Sequence, residues 1–379
     1  MRPAYTPTLP LAILAALIVM GASTPGRGSP APRTHRYYVA ADEVTWDYAP
    51  SGLNQISGRP FNEIERPFVE AQPHSVGKVT LKAVYREYTD STFRAPKPRS
   101  PAWEHLGLLG PLLRAEVGDT ILVVFRNNTR LPVSMHPHGV LYGKDSEGAA
   151  YVDNTAGADK EGVPTGGVHL YVWPVPERAG PASGDASSIL WMYHSHVRED
   201  QDISSGLMGP IIISARGMTK SDGTPKDVDR EFVVAFYEMD EGASSYLPHN
   251  IQAYMKDPTG VHVEPVFGVP AVVPPPEGQF NVKETLNGFL YGNGPMLTMR
   301  MGERVRWYLM AATGFEIHSP HWHGNTVQVQ HARTDVTALL PMGMVVADMV
   351  PDNPGIWLFH CHLSNHLRMG MQTRYEVMH

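Results

Sequence analysis

The sequence has a single cysteine, Cys361, among its 379 residues. No disulfide can form within such a chain, so its stability has to come from packing in the hydrophobic cores. A lone cysteine in an exported protein normally indicates a free thiol. Here His360 and His362 flank the cysteine, and this arrangement favours a thiolate that binds a metal ion.

Long apolar runs are also scarce. The clearest one, residues 9–20, follows Arg2 and precedes the small residues 21–23. This pattern is typical of a secretory signal peptide, here over residues 1–25, and the run is too short to span a bilayer as a helix. We therefore expect a secreted or periplasmic protein with no membrane partner.

A basic excess is absent as well. The chain has 31 Lys and Arg residues against 38 Asp and Glu residues, which gives a formal net charge of -7. Removal of Arg2 with the signal peptide would take away one more positive charge. An acidic balance of this kind argues against nucleic acid or an anionic membrane as the partner.

Glycine and proline, in contrast, are plentiful, with 35 and 34 residues. Short apolar runs at residues 79–85, 121–125, 211–213 and 232–236 are separated by turn-forming residues, and no long amphipathic helix stands out. These features predict an all-β sandwich fold. About 350 residues remain after the signal peptide, enough for two domains of ordinary size. The polar segment 216–229 is the candidate linker between them.

Histidines recur in pairs. The chain has four His-X-His triplets, His136-Pro137-His138, His194-Ser195-His196, His321-Trp322-His323 and His360-Cys361-His362. On a strand, residues i and i+2 point to the same face, so each triplet can aim two imidazoles at one point. Eight imidazoles are enough for about three copper ions with two or three protein ligands each and with positions left open for oxygen.

The spacing of the triplets indicates an internal duplication. His321 lies 185 residues after His136, and Gly302 lies 184 residues after Gly118 at the start of a similar strand-like segment. Only the second copy has the ligand set of a blue copper site, which is two imidazoles, one thiolate and a weak axial thioether. The candidate ligands are His318, Cys361, His366 and Met371, and the first copy has Val133, Ser195, Asp200 and Ser205 in their places.

The chain resembles the multicopper oxidases. The run Asp352–His362 is close to the signature of that family, and residues 37–43, 106–111 and 193–196 resemble its ceruloplasmin branch. The resemblance covers residues 36–379 and implies two tandem cupredoxin-like Greek-key β-sandwich domains, residues 36–216 and 229–379. With blue copper in the second domain alone, this organisation is similar to the two-domain, or small, laccases.

The resemblance also implies four copper ions per chain and a role for each ligand. His318, Cys361, His366 and Met371 would bind the type 1 copper, and His136 and His321 the type 2 copper. The type 3 pair would be bound by His138, His194, His196, His323, His360 and His362. Electrons from a small reducing substrate would enter at His366 and pass through Cys361 to the cluster, where dioxygen is reduced to water.

Reduction of dioxygen to water also consumes protons, so we expect a carboxylate near the cluster. Asp153 resembles the acid of the family at this place, although an aspartate there also suits an Asx turn or a helix cap. Tyr142, four residues after His138, could lie near the type 2 copper or could be an ordinary core tyrosine.

The cluster requires the histidine pairs of both copies. In two-domain relatives it forms between domain 1 of one subunit and domain 2 of the next, and such a head-to-tail contact closes into a ring or continues as a filament. By analogy with the six-domain ring of ceruloplasmin, we expect a homotrimer with trinuclear sites between subunits.

The substrate is the least determined property. We favour a laccase-like oxidation of phenols or aromatic amines, with oxidation of Cu(I) or Fe(II) as the alternative. Ceruloplasmin-like iron oxidases have an Asp immediately before the histidine that corresponds to His366, whereas this chain has Asn365. Glu238, Asp240 and Glu241 could supply acids from a neighbouring loop, and methionines such as Met299 and Met301 would suit Cu(I) or simply fill the core.

Two other classes remain open. A copper nitrite reductase is also a trimer of two-domain subunits, but its catalytic copper takes three histidines, so eight triplet histidines make it less favoured. A simple electron carrier would have no use for a cluster. The number of copper ions per chain separates these classes from an oxidase.

The substitution Cys361→Ser tests the division of labour between the sites. We expect loss of the blue colour and of oxygen consumption, with the other three copper ions retained, because only the type 1 copper depends on the thiolate. Metal analysis and an oxygen electrode measure both effects. A blue, active variant would refute the assignment.

Overall fold

The structure is a computed structural model, and it describes residues 31–73, 75–149, 151–152, 162–257, 263–266, 269–272, 281–312 and 316–379. Residues 32–379 form one compact unit. The predicted signal peptide lies outside the described residues. Within these ranges, no helix has both the length and the apolar character needed to cross a membrane.

Strands dominate both halves of the chain. The first half contains β1 (Thr34–Asp47), β2 (Val79–Tyr88), β3 (Leu113–Glu116), β4 (Thr120–Asn127), β5 (His136–Pro137), β6 (Val168–Pro174), β7 (Ser188–His194) and β8 (Met208–Ser214). The second half contains β9 (Arg230–Asp240), β10 (Val263–Val266), β11 (Val269–Val272), β12 (Val282–Leu286), β13 (Leu297–Arg300), β14 (Val305–Ala312), β15 (Pro320–Trp322), β16 (Val327–Val329), β17 (Ala332–Thr334), β18 (Met344–Met349), β19 (Gly355–Cys361) and β20 (Gln372–Met378).

The helices are short. The α-helices are α1 (Arg66–Val69), α2 (Glu199–Ser204), α3 (Leu247–Tyr254) and α4 (Ser364–Met369). Short 3-10 helices lie at Pro101–Leu106, Lys144–Ser146 and Glu177–Ala179. The four apolar runs of the sequence lie in β2, β4, β8 and β9. In β4 the side chains of Ile121, Val123 and Phe125 are buried while their neighbours are partly exposed, as expected for a strand with one face on a core.

The two halves share one topology. The first half has sheets of order β2-β1-β4-β6 and β3-β8-β7-β5, and the second half has the matching orders β12-β9-β14-β18 and β13-β20-β19-β15, with β16 and β17 added beyond β18. The parallel pairs also correspond, since β1 with β4 matches β9 with β14, and β3 with β8 matches β13 with β20. The strand order therefore repeats the duplication that the histidine spacing indicates.

Each half has its own core, and a third core joins them. The first core includes Ile121, Val123 and Trp173, and the second includes Trp307, Trp322 and Phe359. The third core combines side chains of both halves, among them Val84, Leu108, Met192, Val233, Tyr237 and Tyr308. Packing between the halves thus holds them in a fixed arrangement.

A buried ion pair lies in the same contact between the halves. Lys82 Nζ on β2 is 2.6 Å from Glu241 Oε1, and both side chains are fully buried. The Tyr48 hydroxyl donates to the same oxygen at 2.5 Å, and Lys82 also donates to the Ser204 carbonyl at 2.7 Å. Burial lowers the pKa of Lys82, and the Glu241 carboxylate opposes that shift. Each charge is tolerated in the interior because the other is present.

Removal of one partner should therefore be costly. We expect Glu241→Ala to lower the free energy of unfolding by about 3–5 kcal/mol, because it leaves a buried ammonium without a counter-ion. The matched control is Glu87→Ala, which removes the exposed pair between Lys97 and Glu87 and should cost about 0–1 kcal/mol. Urea denaturation compares the two variants, and equal losses would contradict the interpretation.

Candidate metal centres

A buried group of ligands lies in the second half. The ligand atoms of His318, Cys361 and His366 are all within 4.8 Å of one another, and all three residues are buried. Cys361 ends β19, His366 lies on α4, and His318 precedes β15. Met371 follows α4 and is fully buried; its N–H donates to the His366 carbonyl, and its carbonyl accepts from the Cys361 N–H. The short helix α4 thus brings His366 back to Cys361, and the pairing of β15 with β19 places His318 beside them.

The distances suit a shared metal ion. His318 Nδ1 lies 3.2 Å from His366 Nδ1, which in turn lies 3.5 Å from Cys361 Sγ. Ligands bound to one ion at about 2.0–2.3 Å come this close to one another. Burial lowers the pKa of His318 to about 3 and raises that of the Cys361 thiol, so in the absence of metal both groups favour their neutral forms. A soft thiolate with two imidazoles fits copper, which would displace the thiol proton.

The triplets form two further groups, one in each half. In the first half β5 pairs with β7, which places His136 opposite His194, and His138 Nε2 lies 3.0 Å from His194 Nε2. The His196 ring lies 5.1 Å from the His136 ring. The set of His136, His138, His194 and His196 is called the first half-site. An antiparallel pair of strands brings two triplets together because opposite residues share one face.

The second half repeats this arrangement. β15 pairs with β19, which places His321 opposite His360, and His323 Nε2 lies 3.1 Å from His360 Nε2. The His362 ring lies 5.1 Å from the His321 ring. These four histidines are the second half-site. The two closest Nε2–Nε2 distances, 3.0 and 3.1 Å, and the two ring distances of 5.1 Å agree between the half-sites.

Backbone carbonyls orient several of the rings. The Nδ1 atoms of His136, His194, His321 and His360 lie 2.6–3.0 Å from the carbonyl oxygens of Glu147, Ser195, Asp335 and Cys361. A carbonyl oxygen can only accept, so each Nδ1 carries the proton and each Nε2 has a free lone pair for a metal ion. Burial also lowers the pKa of His138 and of His360 to about 4, which keeps these rings neutral.

The half-sites do not meet within the described part of one chain. Every contact between triplet rings there joins two histidines of the same half. In the second half-site His323 and His362 are exposed. Each half-site is therefore an open set of imidazoles, with room for ligands from elsewhere.

A glycine follows one triplet in each half for steric reasons. Gly139 has φ +77° and Gly324 has φ +74°, a left-handed conformation that glycine adopts without strain. A Cβ atom at either position would lie 2.3 Å from an indole ring, that of Trp191 or that of Trp357. The two tryptophans thus pack directly on the backbone of the metal-binding segments.

Carboxylates converge on the buried centre. Glu316 Oε2 lies 2.8 Å from His366 Nε2, and Glu284 Oε2 lies 3.8 Å from His366 Nδ1. Glu238 is opposite Glu284 in the pairing of β9 with β12. Burial, followed by the charges of Asp240 and Glu316, raises the pKa of Glu238 to about 7. Burial and the charges of Glu238 and Glu316 raise the pKa of Glu284 as well.

The sequence identified only part of this acidic group. Glu238 and Asp240 were candidates, but Glu241 points away and pairs with Lys82. Glu284 and Glu316 were missed because strand register and loop conformation, rather than a motif, bring them to His366.

Three other residues concern the first half-site, two that the sequence predicted and one that it missed. Asp153 lies outside the described residues. The Tyr142 ring lies 5.7 Å from the His136 ring, and burial raises the pKa of Tyr142. Glu199, which the sequence did not single out, lies 3.3 Å from His196 Nε2 and 3.7 Å from His194 Nε2.

Family models agree with this picture. Two models described as multicopper oxidase match residues 105–217 and 269–379, one in each half. The chain belongs to the multicopper oxidase family. The predicted fold, two cupredoxin-like domains, is confirmed by these matches and by the strand content. The boundaries 36–216 and 229–379 stay a prediction.

Curated relatives are ferroxidases and related proteins. The chain is 42% identical over 351 residues to human (Homo sapiens) "Ferroxidase HEPHL1", which covers 91% of this chain and 29% of that protein. It is 38% identical to human hephaestin over 91% of this chain and 29% of the relative, and 36% identical to human ceruloplasmin over 90% and 32%. The chain thus spans about three tenths of the length of these relatives.

Solved structures share the fold at lower identity. A structure titled "Crystal structure of multicopper oxidase" has a TM-score of 0.56 and 16% identity, with 91% of this chain and 89% of that chain covered. The blue copper oxidase from Nitrosomonas europaea has a TM-score of 0.55 and 18% identity, with 91% and 86% covered.

Proposed function

We propose that this protein is a multicopper oxidase that oxidises Fe(II) with dioxygen. The observation that carries the proposal is the pair of glutamates beside the His366 imidazole, Glu316 at 2.8 Å from Nε2 and Glu284 at 3.8 Å from Nδ1, with Glu238 opposite Glu284 on the neighbouring strand. Carboxylates and imidazole are ligands that iron accepts, and a phenol would gain nothing from clustered negative charge. The ferroxidases among the relatives support the same alternative over the laccase-like activity that the sequence favoured.

The acids give His366 a partner that the sequence did not indicate. Asn365 argued against iron oxidation because it supplies no charge next to His366. Glu316 lies 2.8 Å from Nε2 of that ring and can take the missing role. Its side chain is 57% exposed, so an iron ion from solvent can reach it, whereas Glu284 is buried behind it.

The chemistry follows from charge. Carboxylates bind Fe(III) more strongly than Fe(II), so a site rich in glutamate favours loss of an electron from bound Fe(II). His366 contacts Glu316 through Nε2 and Cys361 through Nδ1, so its ring links the glutamates to the candidate copper site and offers a route for that electron. Four Fe(II) ions lose one electron each, and dioxygen takes up four electrons and four protons to give two water molecules.

The candidate copper ligands keep the roles that the resemblance implies. His318, Cys361, His366 and Met371 would hold the copper that accepts single electrons, and the eight triplet histidines would hold the three copper ions that reduce dioxygen. The protein contributes orientation, since carbonyl oxygens fix the Nδ1 protons of four rings, and a covalent link, since Cys361 lies between His360 and His362.

The open half-sites support a ring of subunits. We propose that the first half-site of one chain joins the second half-site of the next chain, and that three chains close the ring. An open set of four imidazoles in each half, with no ring contact between the two half-sites in the described residues, is what such sharing requires. Assembly and metal binding would then stabilise each other.

Neutralising the glutamates separates iron oxidation from other activities. We expect Glu284→Gln and Glu316→Gln each to lower kcat/KM for Fe(II) by about tenfold or more, since one lost charge contact is worth roughly 1.4 kcal/mol. Oxidation of a phenol by the same variants should change much less, because the copper ligands are intact. Steady-state oxygen uptake with each substrate measures the effect.

The matched control is Glu376→Gln, which removes a carboxylate on β20 of the same half. It should leave both activities unchanged. Parallel losses for Fe(II) and phenol in the two test variants, or no loss for Fe(II), would contradict a role of these acids in iron binding.

A further inference from the structure

The first half keeps the framework of the buried centre although it has none of the four ligands. In the second half the Ser319 N–H donates to Cys361 Sγ at 3.3 Å. At the same place in the first half the Ser134 N–H donates to Ser195 Oγ at 3.1 Å. Ser195 thus occupies the position of the cysteine, with its hydroxyl in the place of the sulfur.

A buried acid contacts the hydroxyl of Ser195. The Ser195 hydroxyl donates to Asp202 Oδ2 at 2.6 Å, and the Arg198 N–H donates to the same oxygen at 3.1 Å. Asp202 lies on α2, the helix that corresponds to α4 with its ligand His366, and it is 1% exposed. Hydrogen bonds to an ionised acceptor are among the strong ones. The one from Ser195 joins α2 to the residue that follows β7, and the one from Arg198 closes the first turn of α2.

The network continues to both histidine segments of the first half-site. The Ser134 hydroxyl donates to the Gly148 carbonyl at 2.6 Å and accepts from the His196 N–H at 3.0 Å. The carbonyl of Ser134 accepts from the Tyr85 hydroxyl at 2.5 Å. Ser134 precedes His136 by two residues, so one continuous set of buried hydrogen bonds holds the segment with His136 and the segment with His196.

We propose that Asp202, through Ser195 and Ser134, is a positioning residue that fixes the first half-site in place of a bound metal. The second half can fix its triplets through the ligands of the buried centre, whereas the first half has this hydrogen-bonded substitute. Burial raises the pKa of Asp202 to about 6, which agrees with a closed site. The inference rests on the proposed function, because the copper ions of the shared cluster are its readout.

Three substitutions test the inference in the full-length, copper-loaded protein. Asp202→Leu removes the acceptor at similar volume, Ser195→Ala removes the bridging hydroxyl, and Asp202→Asn keeps an oxygen that can accept both hydrogen bonds. Asp200→Leu is the control, because Asp200 lies on the same helix and is exposed. The measurements are copper content, the near-ultraviolet band and magnetic coupling of the type 3 pair, and the blue band.

We expect Asp202→Leu and Ser195→Ala to lose the type 3 signals and the corresponding copper while they keep the blue band. Asp202→Asn and Asp200→Leu should keep both. The blue band reports that the second half has folded; if Asp202→Leu lacks it, the milder Ser195→Ala decides. Retained type 3 signals in Ser195→Ala and Asp202→Leu, or their loss in Asp202→Asn, would overturn the proposal.

The parent protein separates this inference from the proposed function. A parent that binds no type 3 copper, or that oxidises no Fe(II), defeats the proposed function. A fully metallated, active parent whose Ser195→Ala and Asp202→Leu variants keep all type 3 signals defeats the positioning role alone.

Discussion

Pairing of one strand with its antiparallel neighbour is the constraint from which the metal sites follow. The pairing of β5 with β7, like that of β15 with β19, places one histidine opposite another. Two residues further along each chain segment, a second histidine adds its imidazole to the same face. A shift of either register by one residue would turn the rings to the opposite face and abolish the site. Glycines in the left-handed region, such as Gly324, let a tryptophan, here Trp357, pack directly on the backbone of each metal-binding segment.

The two halves share one backbone framework but fill it with different side chains. In both halves, the residue two positions before one triplet donates its N–H to the side chain in the middle of the other triplet. That side chain is Ser195 in the first half and Cys361 in the second. A sulfur with two imidazoles suits a redox-active metal, whereas a hydroxyl with a buried carboxylate gives a rigid hydrogen-bonded network. Under the proposed function, the second half would accept electrons, and the first half would only supply ligands.

Much of the site could be predicted from the sequence because its motifs are local. Alternating side-chain direction on a strand is enough to group the two imidazoles of each His-X-His triplet. Cys361, His366 and Met371 lie within eleven consecutive residues, so their closeness in the sequence already indicates a common site. Glu284 and Glu316 could not be predicted, since the pairing of β9 with β12 and the loop before His318 bring them to His366. Glu241 was a candidate on sequence proximity alone, but it faces the contact between the halves, where Lys82 needs a counter-ion.

Sharing of the cluster between chains is tested most directly by mixing two inactive variants, His138→Ala in the first half-site and His323→Ala in the second. Each alone should consume no oxygen, because every junction in its ring has a damaged half-site. In a random mixed ring about one quarter of the junctions combine two intact half-sites, so oxygen uptake should return in part. A mixture that stays inactive although the subunits exchange would contradict a cluster built from two chains.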